Sequence, residues 1–215
     1  HDTLALAFSI TEEAIEDNLY DRLASRYTKA LARSMSNAKQ VKAVTPLIDG
    51  LPSTDGYDSG DGVSLFNTSH TTVSGTAVKN TLTTQADLNE TSLEQALIDI
   101  AAFTDERGLR VAARGVKMII PSANQFNAER LMKSQGRTGT ADNDINAVAS
   151  MGMIPQGYRV NNFLTDSDSW YIITDVPNGM KMFQRAALKT AMEGDFDTGN
   201  VRYKARERYS FGVSD

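Results

Sequence analysis

The end of the chain alternates between two chemically different faces, and this pattern constrains the fold more than any other feature. In an extended strand, successive side chains point to opposite sides, so every second residue shares a face. One face is apolar except for Glu207: Val201, Tyr203, Ala205, Tyr209 and Phe211. The other face is basic: Arg202, Lys204, Arg206 and Arg208. The run is about twice the usual strand length and predicts a long strand around which the architecture is organised.

The basic row has two interpretations. Alternation is typical of a half-buried strand whose polar face meets solvent. However, like charges spaced two residues apart on one face repel each other, and a single chain gains little from aligning them. We therefore predict that the row faces acidic groups on a neighbouring chain or a polyanion.

A long amphipathic helix is predicted from Thr11 to about Thr45. Thr11 is a suitable N-cap, Ser9 with Glu12 matches a capping box, and Glu12 and Glu13 suit the positive end of the helix dipole. Apolar residues recur at steps of three and four: Ile15, Leu19, Leu23, Tyr27, Leu31, Met35 and Ala38. Such a helix is roughly 50 Å long. We expect it to lie on the sheet that contains the final strand.

Residues from Asp49 to about Gln85 are rich in Gly, Ser, Thr, Asp and Asn and predict a long interaction loop. Asp55, Asp58 and Asp61 raise the possibility of a calcium site. Their spacing misses the EF-hand pattern, and ordinary turns are the favoured interpretation.

From Asp87 onward the pattern predicts a compact mixed unit, so the fold class is α+β. A helix marked by Leu93, Ala96, Leu97, Ile100 and Ala101 ends near Gly108. The other predicted elements are a strand at Val116–Ile120, a helix from Ser122 to about Lys133 with a Ser122 and Gln125 capping box, a short helix over Asp142–Ala149, strands at Tyr158–Phe163 and Trp170–Thr174, and a tight return at Asn178-Gly179 into Met180–Phe183.

Composition excludes several classes of protein. The chain of 215 residues has no cysteine and a net charge of -5, which argues against a disulfide scaffold, a thiolate metal site and a dedicated nucleic-acid binder. No apolar run is long enough to cross a membrane, and no secretory signal is present. The chain starts with His1 and is expected to enter a helix almost at once, which suggests a fragment of a longer protein.

Motifs of the common enzymes are missing, since there is no phosphate-binding loop, dinucleotide glycine pattern, nucleophile elbow or zinc-spaced histidine pair. No catalytic residue and no cofactor are predicted. His70, the one internal histidine, leaves a hydrolase with a Ser-His-Asp site as the enzyme alternative, with Ser69 beside it in the sequence.

Four segments together resemble a known family. They are Ile10-Thr-Glu-Glu-Ala-Ile-Glu-Asp, Gly62-Val-Ser-Leu-Phe-Asn-Thr-Ser-His70, Asp142-Asn-Asp-Ile-Asn146 and the ending from Gly194 to Gly212. The chain is similar over nearly its whole length to tailed-bacteriophage major capsid proteins, particularly the group of Mu-like head subunits.

The resemblance implies the capsid fold named after the Hong Kong phage. Its peripheral domain has a long spine helix on a long-stranded antiparallel sheet, and its axial domain is mixed α/β. Residues 1–86 are then part of the peripheral domain with the spine helix and an extended loop, residues 87–185 are the axial domain, and residues 186–215 return to the peripheral domain. The arm and loop that precede the spine in this family are not in the sequence.

The same resemblance implies a structural protein of the virion that self-assembles into hexameric and pentameric capsomers of an icosahedral shell around phage double-stranded DNA. The implied partners are copies of itself, and scaffold, portal and decoration proteins, with no membrane. We expect the basic row to contact an acidic cluster on an adjacent subunit: Glu12, Glu13, Glu16 and Asp17. A protein nanocompartment shell of the encapsulin type is the main alternative.

Overall fold

A computed structural model describes residues 1–17, 19–51, 57–137, 144–177 and 179–213. The chain divides into two compact units. The first unit contains the described residues up to Ala43 and those from Met180 onward, and the second is Val44–Gly179. These divisions fall at other places than the boundaries after residues 86 and 185 inferred from the sequence. The assignment of peripheral and axial domains stays a prediction.

The helices and strands follow one another in a mixed order. They are β1 (Asp2–Ile10), α1 (Glu12–Glu16), α2 (Tyr20–Ile48), β2 (His70–Thr71), β3 (Ala77–Val78), α3 (Glu90–Ala101), β4 (Gly115–Ile120), a 3-10 turn (Ser122–Asn124), α4 (Gln125–Lys133), α5 (Ala147–Ser150), β5 (Tyr158–Val160), β6 (Tyr171–Thr174), β7 (Met180–Gly194) and β8 (Val201–Val213). The α+β class is therefore confirmed.

The first unit contains an antiparallel sheet in the order β1-β8-β7. The predicted long final strand is confirmed as β8, which occupies the centre of the sheet. β1 was not predicted: residues 2–10 are extended and pair with β8 from Asp2 opposite Tyr209 to Ile10 opposite Val201. The expectation that the chain enters a helix almost at once is wrong, because the backbone of this segment completes one edge of the sheet.

The predicted helix from Thr11 to Thr45 is interrupted. α1 ends at Glu16, where Asp17 caps it, and α2 begins at Tyr20. Thr11 is the N-cap, and its hydroxyl accepts from the amide of Ala14 at 3.4 Å. The capping box of Ser9 and Glu12 is wrong, because Ser9 belongs to β1 and pairs with Arg202.

α2 lies on the apolar face of the sheet, as predicted. The Tyr27 ring is 5.6 Å from that of Phe8, which stacks on Tyr203 at 4.9 Å. Near the other end of the helix, Lys39 bonds to Glu207. The most deeply buried apolar side chains of this unit come from β1, α2 and β8: Ile10, Met35, Ala205 and Tyr209.

The second unit is built on a sheet in the order β5-β4-β6, in which β4 is parallel to β5 and antiparallel to β6. Its core joins the central strand to the helices and the loops around them: Leu88, Leu93, Leu97, Met118, Ile120, Ala128, Leu131, Val148 and Ile154. The predicted strands at β4, β5 and β6 and the helices at α3 and α4 are confirmed, with shorter limits for β5 and β6. The predicted end of α3 near Gly108 is wrong, because the helix ends at Ala101.

Three local predictions in this region fail. Ser122 opens a 3-10 turn without a side-chain cap, so the second capping box is wrong. Met180–Phe183 begins β7, which pairs with β8 and not with β6, and Asn178 lies outside the described residues. The short helix begins only at Ala147, capped by Asn146, while residues 142 and 143 are not described.

Candidate subunit interface

One face of the first unit's sheet carries a row of basic side chains, which we call the cationic face. It consists of Arg202, Lys204, Arg206 and Arg208 on β8 and of Lys189 on β7. Residues directly opposite each other in antiparallel strands share a face, and Lys189 lies opposite Arg206. Alternate residues along β8 are about 7 Å apart, so the charges form a regular line.

The basic residues differ in their surroundings. Arg202 forms an ion pair with Asp195, which lies just beyond β7. Arg208 is half-buried, and its Nε has no acceptor in the described part of the chain. Lys204 and Arg206 are exposed and form no ion pair with any described residue. The like charges of Lys189 and Arg206 lie directly opposite each other, which is unfavourable without an anionic partner.

Small side chains flank the basic line. On β1, Ala5 is opposite Arg206 and Ala7 is opposite Lys204. On β7, Ala191 is opposite Lys204. All three alanines are exposed. The cationic face is therefore a ridge of long basic side chains with small apolar side chains beside it, at Ala5 and Ala7 on β1 and at Ala191 on β7, where Ala191 lies between Lys189 and Glu193.

The acidic cluster predicted from the sequence lies on and after α1, at the end of the sheet where β1 stops and β8 starts. The amide of Glu12 donates to Oδ1 of Asn200 at 3.3 Å. Glu12, Glu13, Glu16 and Asp17 are all exposed. None of the four forms an ion pair with a described residue, so these acids, together with Lys204 and Arg206 of the basic set, are left unpaired within the described part of this unit.

The turn between β7 and β8, residues 195–200, extends this acidic region, and we call it the hairpin tip. The amide of Asp195 donates to the carbonyl of Asn200 at 2.8 Å, and the Thr198 hydroxyl donates to the Asp195 carboxylate at 2.8 Å. Gly199 has a φ of +66°, which glycine adopts without strain. At this ordered turn, Phe196 is 101% exposed.

Sequence reasoning missed Lys189 and Phe196. Lys189 lies in β7, where Met182, Leu188 and Met192 are exposed and obscure any alternation. Phe196 stands between Asp195 and Asp197, and an aromatic residue between two acids in a turn is the signal by which it could have been found.

The geometry around His70 does not support the alternative of a hydrolase with a Ser-His-Asp site. Nδ1 of His70 is 2.8 Å from Asp61, whose carboxylate also accepts from the Ser59 hydroxyl. These hydrogen bonds, led by that of Ser59, hold the pKa of Asp61 well below its usual range. Nε2 of His70 is buried and has no partner among the described residues. A Ser-His-Asp site needs a serine hydroxyl on the second ring nitrogen, and Ser59 bonds to the aspartate instead.

Two further site types can be assessed for the described ranges. Within them, no three His, Asp or Glu side chains are grouped closely enough to hold a metal ion, and Asp55 of the calcium hypothesis lies outside them. No helix in the same ranges is both long and apolar enough to cross a bilayer.

The fold is similar to that of subunits from several large particles. The virus-like particle from Pyrococcus furiosus matches with a TM-score of 0.53 and 12% identity over 99% of this chain and 72% of that chain. The capsid of Myoviridae phage XM1 matches with a TM-score of 0.58 and 13% identity over 100% and 70%. Mycobacterium phage Che8 matches with a TM-score of 0.51 and 15% identity over 99% and 66%. The chain thus spans about two thirds to three quarters of these chains. A search of curated proteins finds no match.

These neighbours show that the chain has the fold found in subunits of phage capsids and of a virus-like particle. A family model described as phage capsid protein matches residues 1–215. The chain belongs to this phage capsid protein family. It is a structural protein of the virion capsid, which confirms the resemblance drawn from the sequence. Membership of the Mu-like group stays a prediction.

Proposed function

We propose that copies of this protein assemble into hexameric and pentameric capsomers of an icosahedral shell that encloses phage double-stranded DNA, and that it catalyses no reaction. The family match over the whole chain is the observation that carries the proposal. The proposed partners beyond its own copies are scaffold, portal and decoration proteins.

The charges of the first unit support contacts between copies. Lys204, Arg206 and the four acids of the α1 cluster are exposed, and none of them forms an ion pair within the described part of the chain. Since a surface that differs from its partner surface forms a heterologous contact, repetition of this contact generates rings or closed shells. We propose that the basic row of one subunit contacts Glu12, Glu13, Glu16 and Asp17 of the next.

Arg206→Glu tests this contact. The reversal removes a cation from the ridge and places an acid opposite Lys189, so the isolated fold is retained while pairing with an acidic cluster is lost. We expect fewer particles at a given protein concentration. Normal particle formation by this variant would count against the contact.

Electron microscopy of the expressed protein tests the assembly itself, with closed shells or rings of six and five subunits as the expected result. A protein that stays monomeric at high concentration would overturn the proposal. The nanocompartment alternative keeps a basis in the fold likeness to a virus-like particle. Nucleic acid protected inside purified particles favours the phage shell, whereas a protein cargo without nucleic acid favours the compartment.

A further inference from the structure

We infer that the hairpin tip of one copy docks on the cationic face of a second copy, with Phe196 as its apolar anchor. This inference rests on the proposed function and names the two surfaces through which copies recognise each other.

The first observation is the position of Phe196. Isolated apolar side chains are common on protein surfaces, but this ring is exposed on all sides. The turn that carries it is fixed by the Asp195 hydrogen bonds to Asn200 and Thr198 and by its ion pair with Arg202. A ring held in place by an ordered turn loses little conformational freedom on docking, which is why rigid aromatic residues serve as interface anchors.

The second observation is the charge around the ring. Asp195 and Asp197 flank it in the sequence, and the Glu12 carboxylate lies against Gly199 on the same turn. Asp197 is exposed and forms no ion pair with a described residue, whereas Asp195 is paired with Arg202. Glu193 belongs to β7, where it lies opposite Arg202 on the cationic face. The hairpin tip and α1 therefore form one acidic surface with a phenyl ring on it.

The third observation is the complementary surface on the same chain. The cationic face offers Lys189, Lys204 and Arg206 without acidic partners among the described residues. The alanines beside the ridge leave room for a ring. A phenyl ring that docks against these alanines lies next to the guanidinium or ammonium group of a basic residue, and this cation–π contact is favourable when it excludes water.

A second copy is the partner that these features favour. The tip stands at the end of the same β-hairpin whose strands carry the basic residues, so a chain does not fold its own tip back onto the face. The ridge itself consists of long basic side chains, and the phenyl ring supplies the apolar anchor that a stable protein contact needs. Duplex DNA has the charge but nothing that requires Phe196.

The test uses three single variants of the expressed chain. Phe196→Asp removes the anchor and leaves the face intact, and Arg206→Glu alters the face and leaves the tip intact. Phe126→Asp is the matched control, because Phe126 is also an exposed phenylalanine, 71% accessible on α4, outside both proposed surfaces. Circular dichroism and thermal melting confirm that all three are folded.

We expect Phe196→Asp to raise the protein concentration needed for particle formation at least about tenfold, as loss of one buried phenyl group predicts. Arg206→Glu should raise it as well, because it sets an acid against the acidic tip. Phe126→Asp is expected to behave like the unaltered protein. When the two defective variants are mixed, each still has one working surface, so sedimentation velocity should detect a one-to-one pair that neither forms alone.

Three results overturn the inference. The first two are particle formation by Phe196→Asp at the unaltered concentration and the absence of a pair in the mixture of folded variants. Binding of a short DNA duplex to the cationic face, with pairing unaffected by Phe196→Asp, also overturns it in favour of nucleic acid. Each leaves the shell proposal intact when the unaltered protein forms particles. If the unaltered protein forms none, the proposed function fails, and the mixing experiment still reports on the contact.

Discussion

Nζ of Lys39 on α2 lies 2.9 Å from Oε2 of Glu207 on β8, and the Glu207 side chain is only 4% exposed. Glu207 is the charge that interrupts the apolar face of the final strand, and the helix brings its counter-ion to it. The Lys39 ammonium also lies 5.0 Å from the centre of the Tyr209 ring. This pair fixes the position of the helix along the central strand, because a shift of one turn would leave a buried carboxylate unpaired.

Lys39→Met is expected to destabilise the protein by about 3 kcal/mol, because it leaves Glu207 buried without a counter-ion. Urea denaturation followed by circular dichroism measures the change. The double variant Lys39→Met/Glu207→Leu should regain most of the loss, since an apolar pair needs no counter-ion. Lys42→Met, which removes the exposed pair with Asp2, is the matched control and should leave stability unchanged. A loss as large in Lys42→Met would show that the burial of Glu207 is not the cause.

Asn89→Ala is expected to cost about 1 kcal/mol of folding stability. Asn89 forms a capping box at the start of α3. Its side-chain Oδ1 accepts from the backbone amide of Ser92 at 2.8 Å, and its backbone amide donates to the Ser92 hydroxyl at 3.0 Å. Asn89→Ser keeps a capping oxygen and should retain most of the stability. Asn124→Ala, before α4, removes no capping hydrogen bond and serves as the control. Equal losses in the two alanine variants would contradict a capping role.

Gly50→Ala is expected to destabilise the second unit by about 2 kcal/mol, as overfilling of a packed site does. A Cβ at this position would be 2.5 Å from the backbone carbonyl oxygen of Pro46 and 3.0 Å from Cβ of Leu65, so the backbone has to move. Gly136→Ala is the control, because its nearest atom would be 3.6 Å away. Thermal melting of both variants makes the comparison, and an unchanged midpoint for Gly50→Ala would refute the close approach.

Stability is expected to fall as the pH rises from about 10 to about 12. The hydroxyl groups of Tyr20 and Tyr203 share a hydrogen bond, which raises the pKa of Tyr203 to about 12. An unfolded tyrosine has a pKa near 10, so the folded chain holds this proton more tightly. The contribution is complete below pH 10 and is lost as the pH passes the folded pKa.

The tyrosine prediction is checked by titrating tyrosinate absorbance in the unaltered protein and in Tyr20→Phe. Removal of the Tyr20 hydroxyl should bring the pKa of Tyr203 down toward its usual value. Since burial raises the pKa of Tyr171 and Tyr209 as well, the difference between the two curves is the relevant quantity. Superimposable curves would exclude the shared hydrogen bond as the cause.

The sequence alone predicted those helices and strands in which the same periodic pattern of apolar residues continues over many residues. The alternation of β8 and the three- and four-residue steps of α2 reflect faces that are buried on one side, so both were predictable without a tertiary structure. The prediction that the helix lies on the sheet followed from these two faces. The family resemblance came from the same segments, together with the quoted loops.

Pairing across the chain decided the rest. β1 carries a period-two signal that sequence reasoning did not use, because large apolar residues alternate with small ones: Leu4, Leu6, Phe8 and Ile10. Its pairing with β8, about two hundred residues away in sequence, leaves no local signal. The break after Glu16 and the pairing of β7 with β8 likewise depend on where each segment meets the sheet. Lys39 is one of several lysines in the sequence, and only the tertiary structure shows that it is the one that pairs with Glu207. The sequence determined which face of each helix and strand is buried, because burial of one face leaves a periodic pattern of apolar residues. Only the tertiary structure decided which segments pair with each other, because pairing between distant segments leaves no local pattern.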